Sequence, residues 1–64
     1  MRSIHITKLW AGAVFALKSN DSNPTEPTVF YHCDYIDKKQ IHFTAIHTGK
    51  DYVKTLYDRH VWLR

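Results

Sequence analysis

Two histidines and an aspartate near the middle of the chain are the residues best suited to chemistry. His32 and Asp34 are two positions apart, and His42 follows after a short polar turn. Residues at i and i+2 of a β-strand share a face, and a paired strand then places His42 opposite Asp34. A carboxylate beside an imidazole orients a general base, and two histidines with one aspartate can hold zinc with an open position. Ordinary exposed strand residues are the alternative interpretation, and we expect no metal, no cofactor and no catalytic residue.

Thr48-Gly49-Lys50 is a second candidate site. If a helix starts here, its free N–H groups, its dipole and Lys50 can hold a phosphate. The preceding glycine of a P-loop is absent, so N-capping by Thr48 is the simpler explanation.

The cysteine content bears on the cellular compartment. A single cysteine, Cys33, excludes an internal disulfide and a cysteine-rich zinc site. Small secreted domains usually need such cross-links, and no apolar run reaches the roughly 18 residues of a membrane span. We therefore expect a cytoplasmic protein with no membrane contact.

The net charge of +3 and the pI near 9.2 indicate a surface that attracts phosphate backbones or acidic proteins. An exposed apolar patch beside the histidines would bind a partner or a second copy of the chain. The candidate binding residues are Lys38, Lys39, Lys50, Lys54, Arg59, Trp62, Phe30 and Ile46.

The first 28 residues predict a hairpin and a loop. Apolar residues alternate over residues 3–10, Ala11-Gly12 suits a turn, and residues 13–18 return as a second strand. A helix over residues 8–17 is the competing interpretation. Residues 19–28 contain both prolines and read as a polar loop. The inward-facing residues of the hairpin would be Ile4, Ile6, Trp10, Ala13, Phe15 and Leu17.

Residues 29–37 and 40–47 predict a second hairpin, with two alternative registers. A two-residue turn would place Asp34 opposite Phe43 and mix polar with apolar residues on one face. A three-residue turn pairs Tyr35 with Ile41 and Cys33 with Phe43, and it gives one apolar face. The other face then carries His32, Asp34, His42 and Thr44, with Phe30, Ile36 and Ile46 around them.

Residues 50–62 predict a helix. Val53, Leu56, Tyr57 and His60 recur at intervals of three and four, after a segment of the capping-box form Thr-x-x-acid. The predicted fold is therefore α+β: one domain over residues 1–64, with two β-hairpins in one sheet and a C-terminal helix on its apolar face.

From Val29 onward, the order strand, basic turn, strand and then His47-Thr48-Gly49-Lys50-Asp51-Tyr52 resembles the C-terminal part of RelE/ParE-type toxins. The resemblance implies a ribosome-dependent mRNA endonuclease or a gyrase poison, partnered by an antitoxin. Lys50 and Tyr57 would match the basic and aromatic functional residues of that family. The N-terminal helical hairpin of the family has no counterpart in residues 1–28.

A chain of 64 residues has little interior in which to bury a substrate, so its function is expected at the surface. We expect a small protein-binding module, inhibitor-like or adaptor-like, rather than an enzyme. A phage or mobile-element product that binds a host protein is one such case. A toxin of the RelE/ParE type, or an RNA-binding module, is the alternative.

Overall fold

The computed structural model describes residues 2–18, 28–56 and 58–64. Six strands form a single sheet in the order β1-β6-β2-β3-β4-β5, and every neighbouring pair is antiparallel. A 3-10 helix, Ile6–Lys8, follows the first strand. The strands are β1 (Arg2–His5), β2 (Val14–Ala16), β3 (Phe30–Ile36), β4 (Gln40–Ala45), β5 (Asp51–Thr55) and β6 (His60–Leu63).

The fold class is β, and the predicted α+β class is wrong, because the described part of the chain contains no α-helix. The range predicted as a helix, residues 50–62, contains β5 and most of β6 instead. Along β5, Tyr52 packs against the core while Asp51 and Val53 are exposed, which is the period of a strand. The predicted Tyr57 position lies outside the described residues, as do residues 19–27 of the loop predicted over residues 19–28.

The segment taken for a helix cap is a hairpin turn between β4 and β5. Gly49 has a φ of 72°, and its N–H donates to the carbonyl of Ala45 at 2.8 Å. The hydroxyl of Thr48 accepts from the N–H of Lys50 at 3.3 Å, so Thr48 caps the turn rather than a helix.

The predicted first hairpin is also wrong, although its turn is confirmed. Gly12 occupies a turn with a φ of 94°. However, β1 and β2 do not pair, because β6 lies between them and bonds to both. The 3-10 helix buries Ile6, and Leu9 is buried while Trp10 remains 53% exposed.

The second hairpin is confirmed, with a correction to its register. Cys33 pairs with Phe43 as predicted, but a β-bulge at Asp34 shifts the rest, so that Tyr35 pairs with His42 and Ile36 with Ile41. Consequently Ile36 packs against the core and Tyr35 is exposed, the reverse of the prediction.

The core lies on one face of the sheet and is centred on aromatic rings. The ring of Phe43 has its centroid 5.7 Å from that of Phe15, 5.2 Å from that of Tyr31 and 5.4 Å from that of Tyr52. Cys33 is buried beside them, as predicted, and burial raises the pKa of its thiol.

No helix among the described residues is long and apolar enough to cross a membrane.

Candidate binding face

The side of the sheet opposite the core is called the open face here. The strand registers arrange its residues in rows that run across neighbouring strands. The rows are Tyr35, His42 and Val53; Val14, His32, Thr44 and Asp51; and Ser3, Trp62, Ala16 and Phe30.

The aromatic row consists of Tyr35, His42 and Val53, one each from β3, β4 and β5. The rings of Tyr35 and His42 are stacked, with centroids 4.0 Å apart and planes inclined by 15°. His42 pairs with Val53 across the next strand boundary. Tyr35 is 53% exposed and Val53 is 52% exposed, so the row presents apolar surface to solvent. The bulge at Asp34 creates this row, because it turns Tyr35 to the side of His42.

The second row lies beside the aromatic row. It consists of Val14, His32, Thr44 and Asp51, is joined by Asp34 of the bulge, and is called the polar row. His32 Nδ1 is 2.9 Å from Asp34 Oδ1. The hydroxyl of Thr44 is 2.7 Å from Asp34 Oδ2 and 2.8 Å from Asp51 Oδ1. A threonine hydroxyl has one proton, so Thr44 donates to one of these carboxylates at a time. The row therefore keeps acceptor capacity for a donor from outside.

The contacts of Asp34 stabilise its ionised form. The hydrogen bond from Thr44 lowers the pKa of Asp34 below its usual value of 3.8, and the contact with His32 lowers it further. The unfolded chain therefore takes up a proton at higher pH than the folded chain does. Any contribution of Asp34 to stability is present above its ordinary pKa and is lost as pH falls through the lowered one.

Replacing Thr44 with valine is expected to raise the pKa of Asp34 towards its usual value. The substitution keeps the β-branched shape but removes the largest stabilising contact of the carboxylate. A pH titration of the Asp34 carboxyl carbon by NMR measures the shift. The control is Thr55→Val, the same change at an exposed position of β5. An unchanged Asp34 midpoint in Thr44→Val would contradict the assignment.

A second apolar area lies on the open face around Ala16. Ala16 is only 1% exposed although it faces away from the core, since Trp62 and Phe30 flank it in the register. The guanidinium carbon of Arg64 is 5.4 Å from the centroid of the Phe30 ring, a cation–π contact. Ile46 is half exposed next to Phe30, whose carbonyl accepts from the Ile46 N–H at 3.1 Å. Phe30, Ile46 and Trp62, all predicted binding residues, therefore share this area.

His5 is held in one tautomer at the far end of the sheet. Its Nδ1 accepts from the Thr7 N–H at 3.3 Å and lies 2.7 Å from the Thr7 hydroxyl. With Nδ1 accepting, Nε2 of the neutral ring carries the proton and donates to Asp58 Oδ1 at 2.6 Å. The ring also meets His60 edge-on at 5.4 Å. These contacts fix the join between β1 and β6 rather than form part of the aromatic row.

The predicted basic residues do not converge on one patch. Lys38 and Lys39 occupy the β3–β4 turn, where the Lys38 N–H donates to Asp37 Oδ1 at 2.7 Å. Lys50 Nζ lies 5.3 Å from the centroid of Tyr52. Lys54 is exposed on the core side of β5, opposite Ile41. Arg59 Nη2 donates to the carbonyl of Leu17 at 3.0 Å, which joins two segments of the fold.

The three candidate metal ligands are only partly brought together. His32 and Asp34 are in contact, but His42 stacks on Tyr35 instead of facing Asp34. Within residues 2–18, 28–56 and 58–64, no group of three or more His, Cys, Asp or Glu side chains is placed to hold a metal ion.

Comparison with known proteins does not identify a relative of this chain. No protein-family model matches the chain, and neither a curated protein nor a solved structure shows significant similarity to it. The resemblance to RelE/ParE-type toxins is not tested by these comparisons and stays a prediction.

Sequence reasoning missed Tyr35, Asp51 and Val53 as residues of the exposed surface. A regular alternation along β3 points Tyr35 inward, and the sequence of the strand does not indicate the one-residue bulge that reverses it. The helical spacing of the C-terminal segment hides Asp51 and Val53, although Tyr52, Val53 and Thr55 are residue types typical of strands.

Proposed function

We propose that this protein is a small protein-binding module, inhibitor-like or adaptor-like, that binds a partner protein with the open face of its sheet. The aromatic row carries the proposal. A stacked Tyr35–His42 pair and Val53 form a half-exposed apolar strip across three strands. Exposed tyrosine on a rigid strand is a typical anchor of protein interfaces, because it contributes a large contact area at a low entropy cost.

The charges of the open face favour a protein over a nucleic acid as the partner. The carboxylates of Asp34 and Asp51 lie in the row next to the aromatic residues. A phosphate backbone laid over the aromatic row would meet these negative charges. Lys38 and Lys39 lie in a turn, and Lys54 lies on the core side of β5. These three lysines therefore do not lie among the stacking residues, and Arg64, which contacts Phe30 on the open face, lies in a different row from Tyr35 and His42.

The same arrangement describes the partner. Its surface would carry an apolar or aromatic side chain to pack against Tyr35 and Val53. A lysine or arginine next to that side chain would donate to Asp34 and Asp51, whose acceptor capacity Thr44 does not fill.

The proposal is tested by affinity capture from a lysate of the source cells with the full chain and two variants. Tyr35→Ala removes the centre of the aromatic row, and Trp10→Ala removes an aromatic side chain that has the same exposed fraction, 53%. We expect a protein retained in stoichiometric amount by the native chain and by Trp10→Ala, and at least about tenfold weaker retention by Tyr35→Ala, as for an interface hot spot.

Retention of the same protein by Tyr35→Ala at native strength would contradict the proposal. Ribonuclease treatment and a salt titration separate the alternative. Loss of the complex with ribonuclease, together with a steep logarithmic dependence on salt, would favour the RNA-binding or toxin interpretation.

A further inference from the structure

Every second residue of the edge strand β5 directs its backbone N–H and C=O groups away from β4. Among the described residues, β5 has one neighbour, β4. The Leu56 N–H donates to the Lys39 carbonyl at 2.8 Å, and the Ala45 N–H donates to the Lys50 carbonyl at 2.9 Å. Bonded pairs alternate along an antiparallel ladder, so the even-numbered residues of β5 bond to β4. The N–H and C=O groups of Asp51, Val53 and Thr55 consequently point away from the sheet.

We propose that two copies of this protein pair through β5, antiparallel, about a two-fold axis at Val53. In this register Val53 meets Val53 of the second copy, and Asp51 meets its Thr55. All the outward-pointing residues are then paired with one another, and each bonded pair contributes two backbone hydrogen bonds. The two sheets join edge to edge into one continuous sheet, with the open faces on the same side.

Charge selects this register from its neighbours. A two-fold axis at Tyr52 would place Lys50 opposite the second copy's Lys54, and an axis at Lys54 would place two lysines directly opposite each other. Like charges in opposed positions destabilise a strand pair. The axis at Val53 instead places Lys54 opposite Tyr52, a ring that already accepts the Lys50 ammonium at 5.3 Å. Lys50 and Lys54 therefore disfavour the two registers adjacent to the one proposed.

The opposite edge of the sheet is less suited to pairing. The Ile6 N–H donates to the Arg59 carbonyl at 2.9 Å, which directs the even-numbered residues of β1 towards β6. Of β1, only Ser3 and His5 then point outward. The chain turns into the 3-10 helix directly after His5.

The pairing extends the aromatic row over both copies, because Val53 ends the row in each. It adds a strand of five residues from each copy, whereas a stable interface uses about 20–30 residues a side. The dimer is therefore expected to dissociate on dilution. The inference does not depend on the proposed partner. Val53 belongs to the aromatic row as well, but the pairing needs only the backbone groups of β5 and the contact between the two Val53 side chains, and Tyr35→Ala changes neither.

Sedimentation velocity of the full chain tests the pairing over roughly 1 μM to 1 mM, the range in which a small interface dissociates. We expect the native protein to shift from monomer to dimer across this range. Val53→Glu and Val53→Lys place like charges across the axis, and each is expected to stay monomeric. An equimolar mixture of these two variants is expected to regain a 1:1 dimer, which also demonstrates that both are folded. Val29→Glu, at a position 38% exposed just before β3, is the matched control that keeps the native dimer.

The proposal is overturned if the native chain stays monomeric throughout the range, or if Val53→Glu dimerises as strongly as Val29→Glu. It is also overturned if the mixture of the two charged variants remains monomeric.

Discussion

Phe43→Ala is expected to lower the free energy of unfolding by about 3–5 kcal/mol, the usual cost of truncating a buried phenylalanine. The ring of Phe43 is 2% exposed and contacts the rings of Phe15, Tyr31 and Tyr52. Truncation leaves a cavity among rings that are anchored on three other strands. Small domains have total stabilities near the low end of about 5–15 kcal/mol, so this variant should be largely unfolded at moderate temperature. Urea denaturation followed by circular dichroism measures the change.

Phe30→Ala is the matched control for Phe43→Ala. Phe30 lies on the open face and is only half-buried, so its truncation exposes little core and should cost roughly 1–2 kcal/mol. Equal losses of stability in the two variants would contradict the placement of the core on the Phe43 side of the sheet.

Proline substitutions in β5 have the second-largest expected effect on the free energy of unfolding. The effect depends on whether the substituted residue bonds to β4. Lys54 lies in a bonded pair with Ile41, so Lys54→Pro removes a ladder bond and leaves the carbonyl of buried Ile41 unsatisfied. The expected cost is about 1–3 kcal/mol, plus the strain of the ring. The N–H of Val53 points outward, so Val53→Pro removes no bond to β4 and should cost clearly less.

Both proline variants are compared with the native protein by urea denaturation at low micromolar concentration, where pairing between copies is absent. Equal destabilisation by the two prolines is expected for the interior of a helix. It would contradict the assignment of Lys54, but not Val53, to a hydrogen-bonded pair with β4.

The second hairpin could be predicted because its physical signals agree. One register buries a complete apolar face, and Tyr31–Ala45 and Cys33–Phe43 pair as that register requires. The bulge at Asp34 could not be predicted, because it trades regular pairing for contacts with His32 and Thr44 that exist only in the folded sheet. The turn at Gly12 could be predicted from glycine's tolerance of positive φ.

The C-terminal strands were misassigned because short segments satisfy two periodicities at once. Val53, Leu56 and His60 fit a helical spacing, yet Val53 and His60 are exposed while Leu56 packs against the core. The pairing of β6 with both β1 and β2 favours the strand over the helix, because it buries Val61 against residues distant in the sequence. Such long-range pairing overrides local spacing and cannot be read from one segment.

The candidate site was predictable to a similar extent. The contact between His32 and Asp34 follows from their spacing, whereas the position of His42 depends on the bulge. Residues of β5 complete two of the three rows of the open face, so the error over β5 removed Asp51 and Val53 from the predicted surface.

The central claim is that residues 51–55 form a strand that completes the open face beside β4. Nuclear Overhauser contacts between Hα protons test it directly in the native protein. His42 and Val53 form a non-bonded pair, in which the Cα atoms approach to about 4.5 Å. The account predicts a strong Hα–Hα contact between His42 and Val53. Its absence, together with a contact from the Asp51 Hα to the Lys54 amide as in a helix, would contradict the account.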